Sequence, residues 1–309
     1  MFQIPIAFII FNRPDTTKQV FEKIREIKPT KLYIISDGPR ENNTDDKDKI
    51  KETREIIKKI DWECQVHKKY SVVNLGCGIN VSHGISWVFE KEEMAIILED
   101  DCLPSISFFN YAKELLIKYK YEHRIMHIGG TNWHPEYKHK DNSSYFFSKD
   151  AHIWGWATWK RAWEMFDYEM KDYPEFIKNK EFKNIISKRD ERNYFKLRWG
   201  SFYNTNFKSK VKSNWDYQWY YSVLKNKGLC IWPKSNLVMN IGVNGTHTDK
   251  IYDKYHFVKI DNEFVINQHP NNIEINKEFD LYHYYYFNHT SLFNKILNKL
   301  KKYSTKISK

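Results

Sequence analysis

A mostly parallel β-sheet with helices on both faces is the fold class this sequence predicts, and three observations carry it. Short apolar runs alternate with helical patterns four times in about the first 100 residues. The runs are continuous rather than alternating in polarity, as in strands buried on both faces. Polar turns follow them and open helices, which is how right-handed βαβ units read.

Taken in order, Ile4–Phe11 is the first predicted strand, followed by Asn12-Arg13-Pro14-Asp15. Pro14 suits a first helical turn and Asp15 complements its dipole. Val20, Phe21, Ile24 and Ile27 then give the helix one apolar face. Leu32–Ser36 is a second strand ending in the turn Asp37-Gly38-Pro39. A helix through Ile50, Ile56, Ile57 and Ile60 leads to a short strand near Cys64–His67. After Asn74–Gly78 comes a helix carrying Ile85, Val88 and Phe89, then the strand Met94–Leu98. The chain turns through Cys102–Pro104 into a helix over Ser105–Tyr119, and Arg124–Ile128 is a further strand closed by Gly129-Gly130.

The second half changes character. Nine of the eleven tryptophans fall between Trp133 and Trp232. Trp154 and Trp156 flank Gly155, an arrangement expected of an ordered loop near a ligand. Indole faces stack on sugar rings and indole N–H groups reach hydroxyls, while a tryptophan-rich core is the competing use. A helical stretch near 181–198 precedes Asn214–Trp219, which opens another helix. Strands near Leu229–Trp232 and Leu237–Ile241 lead to the turn Gly242–His247.

At 309 residues and 41% hydrophobic, the chain can bury a large core. Its longest apolar runs are far too short to cross a bilayer, and its N-terminus reads as a strand rather than a signal peptide. Four scattered cysteines fit reduced thiols in a cytoplasmic protein. The net charge of +11 points to an anionic partner. Nucleic acid is not expected, because no recognition module or compact basic–aromatic motif is present.

The chemistry concentrates at Glu99-Asp100-Asp101, three consecutive carboxylates at a buried strand's end. They repel one another and call for a positive charge, for which a hard divalent cation is the natural candidate. Open α/β sheets bind ligands at such strand ends.

With these pieces in order, the chain resembles the GT-A nucleotide-sugar glycosyltransferases. It looks closest to the branch related to N-acetylglucosaminyltransferase I and its bacterial polysaccharide-synthesis relatives. The resemblance runs from about Ile4 to His247, with Glu99-Asp100-Asp101 matching that branch's form of the Asp-X-Asp motif. It implies a Rossmann-like sheet flanked by helices with an aromatic-rich acceptor-side half. It divides the chain into a nucleotide-sugar part (1–130), an acceptor and catalytic part (131–250) and a C-terminal extension (251–309). Arg13, Asp37, Glu99 and Asp100 are implied to serve the nucleotide, and Asp101, with His247, a metal. Trp154, Gly155, Trp156 and Trp215 are implied to serve the acceptor or sugar, and Asp216 to be the general base. One departure stands out: Tyr217 occupies the place of the family's second acid, so Asp150 and Asp167 stay open as alternatives to Asp216.

What this implies is an inverting transfer from a UDP-sugar to a glycan or lipid-linked acceptor in cell-surface polysaccharide synthesis. Mn²⁺ is the expected cation, with Mg²⁺ the second choice. Two other classes compete, a metal-dependent phosphoesterase and a non-catalytic carbohydrate- or surface-binding protein. Finally, Phe293, Ile296, Leu297, Leu300 and Tyr303 recur at helical spacing among lysines. A basic amphipathic helix of that kind suits peripheral docking on an anionic inner membrane face, or packing on the catalytic domain.

Overall fold

A computed structural model describes residues 1–208, 214–242 and 258–286. The first part runs β1 (Ile6–Ile10), α1 (Pro14–Ile27), β2 (Lys31–Ser36), α2 (Asp46–Ile56), β3 (Gln65–Tyr70), α3 (Cys77–Phe89) and β4 (Met94–Glu99). Next come β5 (Cys102–Pro104), α4 (Ile106–Lys118), β6 (Ile125–Gly129), β7 (Tyr145–Ser148), β8 (Trp156–Trp159) and α5 (Lys160–Trp163). The remainder comprises α6 (Tyr173–Phe176), α7 (Lys180–Ile185), α8 (Arg189–Lys208), α9 (Asp216–Lys225), β9 (Leu229–Pro233) and β10 (Val238–Asn240).

Eight strands form one sheet in the order β3-β2-β1-β4-β8-β6-β9-β7. The first four are parallel, as the strand–helix alternation predicts. Every residue of β1 is buried, because helices cover both faces. Val20, Phe21 and Ile24 of α1 pack on one side, while Val81, Ile85 and Val88 of α3 pack on the other. Ser105 caps α4 by accepting from the Phe108 N–H at 3.2 Å.

Beyond β4 the structure departs from the expected pattern. β8 enters antiparallel between β4 and β6. The segment read as a loop of tryptophans therefore includes a central strand. Trp156 and Trp215 are fully buried, together with Trp159, Trp199, Trp219 and Trp232. Indole is large and apolar enough that the core absorbs it, so neither Trp156 nor Trp215 presents a face to a sugar. β7 lies at the far edge, antiparallel to β9. Cys102–Pro104 is a short strand rather than a turn, pairing antiparallel with β10 in a separate two-stranded sheet. The main sheet draws strands from both sides of residue 130.

Residues 277–286 are helical and dock on the second half. Phe279 is fully buried, with its ring 4.4 Å from Phe146 and 5.2 Å from Trp232. Beside it, His134 Nε2 and His283 Nδ1 lie 2.8 Å apart, and His283 Nε2 lies 3.3 Å from His152 Nε2. Asp280 accepts from the Ser148 hydroxyl at 2.6 Å. Burial, with Asp150 adding to it, pushes its carboxyl up to about 8.

That shift has a sign that can be measured. The folded chain keeps the Asp280 proton where the unfolded chain has lost it, between about 4 and the folded value. Stability from this group therefore falls as pH rises through that window. Asp280→Asn removes this titrating group, so a series of urea melts across pH 4–8 shows a shallower decline in the variant. The difference reaches at most about 1.4 kcal/mol per pH unit. Parallel profiles contradict the assignment.

Among the described residues no helix is long and apolar enough to cross a membrane. The basic segment from Leu292 lies outside the described residues.

Candidate active site

The parallel pairing of β1 with β4 sets Ile9 opposite Glu99, so both strands end at one edge of the sheet. Arg13 follows β1 and the three carboxylates follow β4. Arg13 Nη1 donates to Asp101 Oδ2 at 2.6 Å, and Nη2 donates to Asp100 Oδ1. The positive charge demanded by the triplet is thus supplied in part by the chain itself. Burial lowers the Arg13 pKa, but Asp100 and Asp101 outweigh it and hold the guanidinium firmly charged.

The three acids do different work. Asp100 is 2% exposed and also accepts from the Phe11 N–H at 3.0 Å, so it fastens the β1–α1 loop. Each of its oxygens accepts from a protein donor, so Asp100 is engaged in holding the loop and Arg13. Asp101 keeps one oxygen clear of the arginine. The Glu99 carboxyl makes no hydrogen bond with a described residue. Burial first, then Asp101, pushes it above the ordinary carboxylate range, and Asp100 and Asp216 add to the shift.

Asp216 stands at the first residue of α9, whose Trp219 packs 5.5 Å from Trp156 and 5.1 Å from Trp163. That aromatic packing fixes the helix start against the sheet edge. Burial raises the Asp216 carboxyl, while the N–H groups of Tyr217, Asp216 and Trp215 and the Asn214 side chain oppose the rise. Its charge is felt at Glu99 and at Cys77, in the first turn of α3. The Asp216 charge therefore acts on Glu99 from a different element, α9, than the strand end that carries the triplet.

The alternative bases are engaged elsewhere. Asp167 accepts from the N–H groups of Glu169 and Lys171 and closes a turn. Asp150 is 7% exposed and accepts a hydrogen bond from the Tyr220 hydroxyl within the Asp280 cluster.

Asp37 also receives a different role from the expected one. Its Oδ1 accepts from the N–H groups of Gly38 and Leu75, at 2.8 and 2.9 Å. Its Oδ2 accepts from Asn74 Nδ2 and the Gly76 N–H, at 3.1 and 3.0 Å. Four donors use the capacity of a carboxylate, leaving nothing for a uracil N–H. Asp37 instead pins the loop that leads into α3, whose first residue, Cys77, feels the charges of Glu99, Asp216 and Asp101.

Two glycines pack closely here. A Cβ on Gly242 would lie 2.4 Å from Asp101 Oδ2 and 3.0 Å from Arg13 Nη1. The Ile241 N–H meanwhile donates to the Asp101 carbonyl at 2.8 Å. Gly155 sits at φ +64°, and a Cβ there would strike Val238. Its carbonyl accepts from the Gly130 N–H at 2.8 Å, joining the ends of β6 and β8.

The register of β8, with Trp156 opposite both Ile97 and Gly129, brings Trp154 to the same edge as the triplet. Trp154 is half-buried, and its ring meets the half-buried Trp133 edge-on at 5.1 Å. Trp133 was not among the residues the sequence singled out. The signal available was its position just past Gly129-Gly130 at a strand's end. His247 lies outside the described residues.

A divalent cation fits this donor set. Arg13 pairs with Asp100 and Asp101 and leaves the Glu99 carboxyl and one Asp101 oxygen, which are hard donors. Among the described residues no three His, Cys, Asp or Glu side chains form a ready cage. Magnesium-like ions are commonly held by one or two carboxylates plus substrate phosphates, which is the arrangement Asp101 and Glu99 offer.

No protein-family model matches the chain, and no curated protein sequence matches it. Among solved structures, mouse xyloside xylosyltransferase 1 is 9% identical, with 72% of this chain and 81% of that one covered at a TM-score of 0.35. An apo UDP-glucose pyrophosphorylase is 10% identical over 77% of this chain and 93% of that one, also at 0.35. A UDP-glucose pyrophosphorylase bound to UDP-glucose is 13% identical over 52% and 78%, at 0.34. At these scores the likenesses decide nothing, and the fold and the site rest on the strand order and side chains described above.

Proposed function

We propose that this chain is a divalent-metal-dependent glycosyltransferase that moves a sugar from a UDP-sugar to a hydroxyl of a glycan or lipid-linked acceptor. The observation that supports the reading is the placement of Glu99 and Asp101 at the carboxyl end of a parallel strand paired with β1, with Asp216 near enough for its charge to act on Glu99. Asp101, with Glu99 beside it, is the proposed metal-holding face, and Mn²⁺ is the expected ion. When bound, the ion supplies Lewis-acid neutralisation of the charge that develops on a leaving diphosphate.

The chain's own residues do the rest. Arg13 orients the Asp101 carboxylate through its 2.6 Å hydrogen bond and keeps the triplet from repelling itself apart. Asp100 holds Arg13 and the Phe11 N–H, so the β1–α1 loop cannot drift. Asp216 takes the acceptor hydroxyl's proton as that oxygen attacks the anomeric carbon from the face opposite the diphosphate, giving inversion. A carboxylate raised by burial is a stronger base than an exposed one, and Asp216 is raised. Trp154 and Trp133 offer half-buried aromatic surface at the same edge of the sheet for the acceptor's sugar.

A thermal-shift series tests the reading. UDP with Mn²⁺ stabilises the protein by about 2.7 kcal/mol at one hundred times its dissociation constant, whereas free sugars alone do not. A screen of UDP-sugars for UDP release, with and without Mn²⁺, then finds the donor. Absence of both stabilisation and release removes the transferase reading in favour of a carbohydrate-binding protein.

A further inference from the structure

A second charged recess lies away from the carboxylates, between α2 and the edge strand β3. It encloses about 380 Å³, and Lys47, Lys51, Arg54, Lys58, Lys68 and Tyr70 line it. The lysines and arginine of α2 recur at helical spacing, so they share one face of the helix. Lys68 and Tyr70 are two apart on β3 and share one face of the sheet. The single lining carboxylate, Glu55, is already paired with Lys58 at 2.7 Å. From Lys47 to Arg54 the row of cations extends about 10 Å along α2, and Lys58 follows in the turn after the helix.

At its centre Arg54 is held in place without a carboxylate salt bridge. Its Nε donates to Ser36 Oγ at 3.0 Å, and Nη2 donates to the carbonyls of Asp37 and Ser71 at 3.0 and 3.4 Å. Its guanidinium carbon lies 4.4 Å from the Tyr70 ring centroid. Its hydrogen-bond partners are neutral oxygens, and Nη1 donates to no described residue. Burial lowers its pKa by more than the Tyr70 and Asp37 charges raise it, so the half-buried guanidinium gains from a further anion. A guanidinium fixed by its neighbours loses little freedom on binding, and its fork matches phosphate.

We infer that the recess between α2 and β3 is a binding site for a phosphate-bearing ligand, with Arg54 as its fixed anchor and Lys51 and Lys68 as its two walls. The phosphates come either from a soluble oligophosphate or from headgroups at a membrane surface. Nothing in the site requires a metal. It is separate from the carboxylate recess, and the inference stands whether or not the chain is a transferase.

The test uses the full chain and two probes. Calorimetry with inorganic pyrophosphate in EDTA reads the soluble arm, and sedimentation with phosphatidylglycerol–phosphatidylcholine vesicles reads the membrane arm. Lys51→Glu/Lys68→Glu reverses one exposed charge on each wall and leaves the Arg54 hydrogen bonds intact. Wild type is expected to bind pyrophosphate at least tenfold more tightly than the double variant, because a charge-assisted hydrogen bond from each wall gives way to repulsion. If only vesicle binding falls in the variant, the phosphates belong to a membrane surface and the site stands. Equal behaviour of wild type and variant toward both probes overturns it. UDP–Mn²⁺ titrations of the same two proteins report separately on the carboxylate recess and are expected to agree with each other.

Discussion

Asp101→Ala is expected to lose Mn²⁺-dependent UDP binding by about 100-fold or more, since even removing the outer partners of a metal ligand costs 10–100-fold. Calorimetric titration of UDP with and without Mn²⁺ reads this directly. The fold is expected to survive, because Asp101 sits at the rim and Arg13 retains Asp100. Asp101→Asn refines the result. An amide oxygen can still accept from Arg13 Nη1, so the local geometry is kept while the charge is lost. The Asn variant is therefore expected to be almost as damaged as the Ala variant. Metal-dependent affinity equal to wild type in both would take Asp101 out of the site. It would leave Glu99, the triplet carboxylate with no hydrogen bond to a described residue, as the residue to change next.

Asp216→Asn is expected to lower turnover by about two to four orders of magnitude, the usual contribution of a positioned general base. UDP and donor binding are expected to persist. The substitution is close to isosteric, and the N–H groups at the start of α9 can still meet the remaining oxygen. A fall in kcat with an unchanged donor dissociation constant identifies a group that acts only in the transition state. Loss of donor binding with turnover instead assigns Asp216 to the metal or nucleotide. Near-normal turnover sends the role to another acid. Asp150 and Asp167 are poor successors, since the first is buried against Tyr220 and the second closes a turn.

Much of the fold was legible because the first hundred residues obey local rules. Apolar runs separated by amphipathic helices leave few topologies open, and right-handed crossovers reduce them further. β1 to β4 and their helices follow that pattern. The second half was less legible because its strands are short and aromatic. β7 is Tyr-Phe-Phe-Ser and β8 is Trp-Ala-Thr-Trp, runs of four that lack the length by which a strand is told from a loop or a helix turn. Their partners are distant in sequence, so only tertiary packing selects them.

The site divides in the same way. The sequence by itself determined that three carboxylates end a buried strand, that Arg13 ends the strand before the first helix, and that Asp216 opens a late helix. Those facts follow from hydrophobic patterning and turn chemistry, which act over a few residues. Only the tertiary structure decided which of these groups meet and which are spoken for. Pairing β1 with β4 turned Arg13 into the partner of Asp100 and Asp101. The 74–76 loop surrounded Asp37 with donors. The core claimed Trp156 and Trp215 and left Trp133 and Trp154 at the edge. A carboxylate has about four acceptor positions and an indole two faces, and which neighbours occupy them is set by contacts between residues tens of positions apart in the chain.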